Sequence, residues 1–245
     1  MKFGDSKFFY SKEASIYDKE RWSTGMGQYM DRIQKEIVKS MLPEVSGKKI
    51  LEIGAGTGRF SFLLAEMGAE VTALDISQEM LDVLQRKAKE ANLSGKISVV
   101  RADASQKIPL SDNSFDFCIA INTLSHVKNS ENLLKEVCRV LKPNGIFLAN
   151  YPNLNSIYFL FGALVNLRKM SLWKKVFTKW YSLSEIKKIH EDNGLSITTI
   201  MGELYLPFKI NNKSVLKLLA LVDKSFRTSI LRYVAPTIFV KAIRK

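Results

Sequence analysis

The chain is poor in the residues that build metal centres and disulfide scaffolds: 2 of its 245 residues are cysteine and 2 are histidine. Cys118 and Cys138 lack Cys-x-x-Cys spacing, and no cluster of His, Cys and Asp falls at metal-ligand intervals. Both thiols are therefore expected as buried side chains in a reducing cytoplasm. Long apolar runs are also missing. The longest, Ile157 to Val165, is roughly half of the ~18 to 20 residues that a membrane span needs. Met1 to Lys12 holds charge and aromatics without the apolar stretch of a signal peptide, which predicts a cytoplasmic protein. Acidic side chains are scarce in one region only. Basic and acidic counts are 10 and 7 over residues 1–50, 11 and 12 over 51–150, and 16 and 5 over 151–245, giving +3, −1 and +11. A hydrophobic content of 46% excludes global disorder and allows one large α/β domain.

The most informative stretch runs from Lys48 to Arg59. Ile50, Leu51 and Ile53 form a short apolar run suited to a buried parallel strand, which stops at Gly54, Gly56 and Gly58. Phe60, Leu63, Leu64 and Met67 then follow at helical spacing. The order is strand, tight glycine turn, helix. Such a turn lets a ligand approach the main chain and offers it unpaired N–H groups at a helix start. Spacing narrows the ligand. A dinucleotide turn wants its third glycine where Arg59 stands, and no Gly-Lys-Ser or Gly-Lys-Thr of a phosphate loop occurs. A purely structural βα turn is the competing reading.

The pattern Glu52-x-Gly54-x-Gly56-x-Gly58 resembles the first motif of class I S-adenosylmethionine-dependent methyltransferases. Downstream residues keep the order that the resemblance implies. Glu70 to Asp75 reads as a second strand whose terminal acid lies 21 residues past Gly54, where nucleotide folds accept ribose hydroxyls; the alternative is that Asp75 merely opens a turn before a helix capped by Ser77. Met80, Leu81, Leu84 and Ala88 mark that helix, and Lys96 to Val100 a third strand. By the resemblance, Asp103 would reach the adenine amino group and the Ala104 N–H the ring. Phe115 to Ile121 is a continuously apolar fourth strand, Ser130 to Leu141 a helix, and Gly145 to Asn150 a fifth strand, with the family-like turn Lys142-Pro143-Asn144-Gly145 between the last two. The likeness covers about 100 residues, from Ile50 to Asn150. It implies a Rossmann-like, doubly wound α/β sheet of seven strands, mostly parallel with an antiparallel last strand, built by adding Ser196 to Met201 and Thr237 to Ile243. The cofactor it implies is S-adenosylmethionine, held by Glu52, Gly54, Ala55, Gly56, Gly58, Asp75, Ile76, Asp103, Ala104 and Asn122, with Tyr17 closing from the N-terminal side.

The remaining segments are organised around that core as a single domain. Residues 1–47 hold an aromatic stretch, Phe8 to Trp22, and an amphipathic helix over about Gly27 to Leu42; they fold over the glycine turn as a lid touching ligand through Tyr17 and Trp22, or pack on the sheet edge. Ser182-Leu-Ser-Glu185 is a capping box that opens a helix through His190, expected on the surface. Two insertions, 151–181 and 204–236, mix aromatic or leucine-rich runs with lysine and arginine and are read as a helical cap over an acceptor pocket; a membrane-interface surface and a dimer interface are the other readings. Methyl transfer to an alcohol or protonated amine needs a base, and His126, just past the fourth strand, is the candidate; a packing or capping role competes. No Asn-Pro-Pro-Tyr-like run follows the fourth strand and no cysteine suits a cytosine C5 mechanism. The sequence therefore points to a small-molecule or lipid-like acceptor. RNA, through the basic C-terminal third, is the alternative partner.

Overall fold

The computed structural model describes residues 6–156, 177–205 and 210–245. The apolar run Ile157 to Val165 and the aromatics Tyr158, Phe159, Phe161 and Trp173 of the first insertion lie outside them. Three helices come first: α1 (Ser6–Glu13), α2 (Tyr17–Trp22) and α3 (Gly25–Met41). The sheet alternates with helices from there: β1 (Lys49–Ile53), α4 (Arg59–Glu66), β2 (Glu70–Asp75), α5 (Gln78–Glu90), β3 (Ile97–Arg101), β4 (Phe115–Ala120), α6 (Ser130–Val140) and β5 (Leu141–Pro152). After these come α7 (Leu183–Glu191), β6 (Leu195–Glu203), α8 (Lys213–Thr228) and β7 (Thr237–Arg244).

The seven strands stand in the order β3-β2-β1-β4-β5-β7-β6, and β7 runs antiparallel to both of its neighbours. The expected mostly parallel sheet with an antiparallel last strand is thus observed. Alternation along β1 explains why both sheet faces are covered. Ile50 packs into an apolar cluster with Ile33 and Ile37 of α3 and Phe60 and Leu64 of α4. Leu51 and Ile53 point the other way, towards Leu133, Leu134 and Val137 of α6. The chain order reverses between β1 and β4, so the carboxyl ends of these strands leave a crevice.

Three details differ from the sequence reading. β5 begins at Leu141 rather than Gly145, because Leu141 already pairs with Phe115 and the Lys142-Pro143-Asn144-Gly145 turn is absorbed as an irregularity in the ladder, with Asn144 at φ 63°. His190 is fully buried, not at the surface. It lies four residues after Ile186 on the inward stripe of α7; its Nδ1 meets the Ile186 carbonyl at 2.8 Å, and burial lowers its pKa to about 4. Of the two cysteines, Cys118 is buried and Cys138 only partly so.

Candidate active site

The crevice at the switch point opens into a cavity of about 360 Å³, within the roughly 300–1,000 Å³ usual for ligand sites. Its floor is the turn after β1. Gly56 adopts φ +54°, and a Cβ placed there would meet no atom within 4 Å, so the turn presents bare backbone to open space. The acid at the end of β2 faces this turn: Asp75 Oδ2 accepts the Gly56 N–H at 2.8 Å and Oδ1 the Ser77 N–H at 2.9 Å. Burial pushes the Asp75 carboxyl upward, opposed by these main-chain donors. Asp103 and Ala104 form the next stretch of wall, with Asp103 Oδ1 holding the Ser105 N–H at 2.9 Å.

Of the residues expected around a cofactor, Glu52, Gly54, Ala55, Gly56, Asp75, Ile76, Asp103, Ala104, Asn122 and Tyr17 all border this one cavity. Gly58 does not. Its Cβ would fall 2.8 Å from both Leu84 and Phe62, so glycine there serves the packing of α4 against α5. Glu52 is buried beneath the turn and accepts a short hydrogen bond from Ser61 Oγ; burial raises its pKa to about 7. Asn122, at φ 58°, exchanges hydrogen bonds with Asn150: its N–H reaches Asn150 Oδ1 at 2.6 Å, and Asn150 Nδ2 returns to Asn122 Oδ1 at 2.9 Å.

The N-terminal helices close the cavity from above. Tyr10, Tyr17 and Trp22 line it, and polar contacts pin their segment to the glycine turn. Thr57 Oγ1 donates to Asp18 at 2.6 Å, Lys87 Nζ bridges Asp18 and the Thr57 carbonyl at 2.9 Å each, and Ser11 Oγ donates to Glu79 at 2.6 Å. Trp22 carries a buried indole N–H with no partner among the described residues.

His126 lies in a short 3-10 turn (Leu124–His126) past β4 and also borders the cavity. Its Nδ1 is 2.8 Å from the Phe177 carbonyl and its Nε2 3.0 Å from the Tyr10 hydroxyl. A carbonyl can only accept, so Nδ1 carries the proton and Nε2 receives the Tyr10 O–H. Burial lowers the His126 pKa, which keeps the ring neutral near pH 7.

Tyr10 and Arg59 are among the cavity residues that escaped the sequence reading. Tyr10 sits 116 residues from the histidine it contacts, and no local pattern announces such a pair. Arg59 left a trace: a cation in the first turn of a helix opposes the macrodipole and calls for another reason. That reason is a set of contacts across the cavity rim. Its guanidinium lies 4.1 Å from the Trp22 ring, pairs with Asp31 at 3.3 Å and donates to Gln34 at 2.6 Å. The second insertion also differs from expectation. α8 packs against β6 and α3, and no described residue of 204–236 borders the cavity.

A glycine turn open to ligand, an acid at the tip of the second strand and a seven-stranded sheet with one reversed strand define the class I methyltransferase architecture. Residues 51–149 match the family model for a methyltransferase domain, and the sheet has the architecture of class I S-adenosylmethionine-dependent methyltransferases. It is 29% identical over 166 residues to the mitochondrial ubiquinone biosynthesis O-methyltransferase of Homo sapiens, covering 66% of this chain and 45% of that one. With the demethylmenaquinone methyltransferase of Clavibacter sepedonicus it shares 34% identity over 144 residues, 58% of this chain and 56% of that one. The chain thus spans about half the length of these curated relatives. Among solved structures, a SAM-dependent methyltransferase from Thermotoga maritima has the same fold, with a TM-score of 0.71 at 20% identity over 98% of this chain and 99% of that one.

Proposed function

We propose that the chain moves a methyl group from S-adenosylmethionine to oxygen, nitrogen or carbon of a small or lipid-like acceptor by direct displacement, with a quinone-type hydroxyl as the first acceptor to test. The observation that carries this reading is the meeting of the Gly56 turn, Asp75, Asp103, Ala104 and His126 in one cavity. The similarity to a human ubiquinone biosynthesis O-methyltransferase and a Clavibacter demethylmenaquinone methyltransferase supports the acceptor class.

The residues present fit the donor. Open space at Gly56 accepts a ligand against main chain, and the unpartnered Trp22 N–H lacks only an acceptor atom. Asp75 would take ribose hydroxyls with the lone pairs left after Gly56 and Ser77. Asp103 and the Ala104 N–H would hold adenine, while Tyr17, Trp22 and Arg59 would close over the amino-acid end. When bound, the sulfonium supplies an electrophilic methyl group. The protein's share is alignment and exclusion of water, which the lid helices provide by covering the turn. His126 Nε2 carries the lone pair that removes the acceptor's proton.

Titration with S-adenosylhomocysteine tests the cofactor half; no binding in the millimolar range refutes the assignment. Transfer of labelled methyl from S-adenosylmethionine to catechols and hydroquinones tests the acceptor half. Labelling of none of them, with cofactor binding intact, rejects the quinone class alone.

A further inference from the structure

We propose that the outer face of α8, continued by the turn that follows it, docks on an anionic lipid surface. α8 turns Leu219 and Asp223 into the protein and leaves a second apolar strip in solvent. Leu218 is 62% and Leu221 64% exposed, flanked by Val215 and Val222 at 41% and 42%. Ile230, 81% exposed, and Leu231 carry the strip past the helix end. Positions 215, 218 and 222 share one side of a helix, so these side chains form a continuous patch rather than scattered singles.

Charge selects the occupant. Between residues 204 and 236 the sequence holds six bases (Lys209, Lys213, Lys217, Lys224, Arg227 and Arg232) and one acid, Asp223. That acid is buried and paired with Arg227 at 2.7 Å. Lys213, Lys217 and Lys224 are exposed, and none enters an ion pair among the described residues. A second copy of the chain would set these like charges against each other. RNA would leave leucine and valine facing phosphates, where nucleic-acid surfaces use exposed aromatic rings for stacking. A bilayer surface satisfies both features, with the apolar side chains at the acyl boundary and the lysine amines among the headgroups.

The position of the patch gives it a use. Asn211, just before α8, accepts the Gly25 N–H at 2.8 Å, and a Cβ on Gly25 would fall 2.8 Å from the Ile210 carbonyl oxygen. Gly25 opens α3 directly behind the lid residue Trp22. A docked α8 therefore holds the lid hinge beside the membrane, where a lipid-borne acceptor would enter. Only this use rests on the methyl-transfer reading; the docking does not.

Flotation of the full chain with vesicles of phosphatidylcholine, alone or mixed two to one with phosphatidylglycerol, tests the proposal. The chain should rise with the mixed vesicles only and be released by salt. The exposed double variant Leu218→Glu/Leu221→Glu should lose at least ten-fold in partition. Lys217→Gln/Lys224→Gln should lose about twenty-five-fold, at about five-fold for each lysine removed. Melting temperature and S-adenosylhomocysteine affinity should stay unchanged in both. Failure of the wild-type chain to float overturns the proposal, as does equal flotation of the variants. Sedimentation as a dimer that the leucine variant dissociates also overturns it, in favour of a second copy. Flotation without S-adenosylhomocysteine binding would sink the methyl-transfer reading and leave the docking in place; the reverse result would do the opposite.

Discussion

Replacing Gly56 by alanine separates the ligand cradle from the fold, because the protein supplies its own control. Gly56 has φ +54°, Gly47 has φ +69°, and at neither position would a Cβ meet an atom within 4 Å. Each substitution forces alanine into the left-handed region, at about 1–2 kcal/mol. For a domain of this size that lowers the melting temperature by roughly 2–8 °C in both variants. Only one of the two sites faces the cavity. Gly47 lies exposed in the turn before β1, its N–H bonded to the Gly68 carbonyl at 3.0 Å, whereas the Gly56 Cβ would project into the space assigned to the donor. Gly47→Ala should therefore bind S-adenosylhomocysteine as the wild type does, and Gly56→Ala should lose at least a hundred-fold. Calorimetry gives the affinities directly. A thermal shift gives them independently, since ligand at a hundred times Kd adds about 2.7 kcal/mol of stability, or roughly 5–10 °C here. Equal affinity in the two variants, at equal loss of melting temperature, would show that the turn is a structural corner and remove the basis of the cofactor assignment.

Other consequences follow from the same geometry. Asp75→Asn leaves one acceptor oxygen where two main-chain donors and a ligand compete, so S-adenosylhomocysteine affinity should fall about ten- to hundred-fold, the worth of one charge-assisted hydrogen bond; calorimetry reads it, and an unchanged Kd counts against the ribose role. His126→Ala should slow turnover on an oxygen acceptor without changing cofactor affinity, and the acid limb of kcat/KM in the wild type should lie below pH 6.5, because burial depresses the histidine pKa; an acid limb that survives the substitution removes His126 from the mechanism. Tyr10→Phe deletes one lid hydrogen bond worth about 0.5–1.5 kcal/mol, so cofactor affinity should weaken two- to ten-fold and the N-terminal segment should be cut faster by protease; unchanged values for both would mean that the contact does not hold the lid. Glu203 is buried with its pKa raised to about 8, above the ordinary value of 4.5, so the folded state binds a proton that the unfolded chain has released between these values. Its contribution is fully present below pH 4.5 and lost as pH rises through about 8. The urea midpoint should accordingly fall over that window and fall less steeply in Glu203→Gln, and a slope that does not change would refute the burial argument.

The nucleotide-binding half was legible because its signals are local. Apolar runs of strand length, glycine or asparagine at the breaks and 3.6-residue stripes between them each report on a few neighbouring residues, and the sheet from β1 to β5 is their sum. Asp75 was found because its distance from Gly54 in sequence reflects a fixed βαβ length. Where the reading failed, the deciding contact was long-range or had a polar atom on an apolar face. His190 looked solvent-exposed because it is polar, yet its hydrogen bond to Ile186 one turn back lets the ring enter the core. Gly58 was counted with the ligand glycines because spacing does not distinguish a side chain excluded by Leu84 and Phe62 from one excluded by a ligand. Emergence near the carboxyl edge of the sheet, with an aromatic, leucine-rich and basic composition, puts the second insertion over the cavity, and neither signal tells which side of α3 a helix will choose; its described residues pack away from the cavity.

In the proposed mechanism, the protonation of His126 ties the N-terminal segment to the chemistry. A neutral imidazole has one basic nitrogen, and the Phe177 carbonyl fixes the proton on the other, so Nε2 alone can act as base. In the structure that nitrogen is engaged by Tyr10, whose own pKa burial raises, so the phenol stays a donor across the working range. An acceptor hydroxyl reaches Nε2 only by taking the place of Tyr10. Lid displacement and exposure of the base are then one event, and an acceptor too small to displace the tyrosine meets a histidine already satisfied. On that proposal the Tyr10–His126 contact sets a lower size limit on the acceptor. Tyr10→Phe should relax that limit, because phenylalanine fills the same space without occupying the lone pair. Turnover of a bare catechol relative to one bearing a long alkyl chain should rise in the variant, and a ratio identical to that of the wild type would uncouple the lid from acceptor choice.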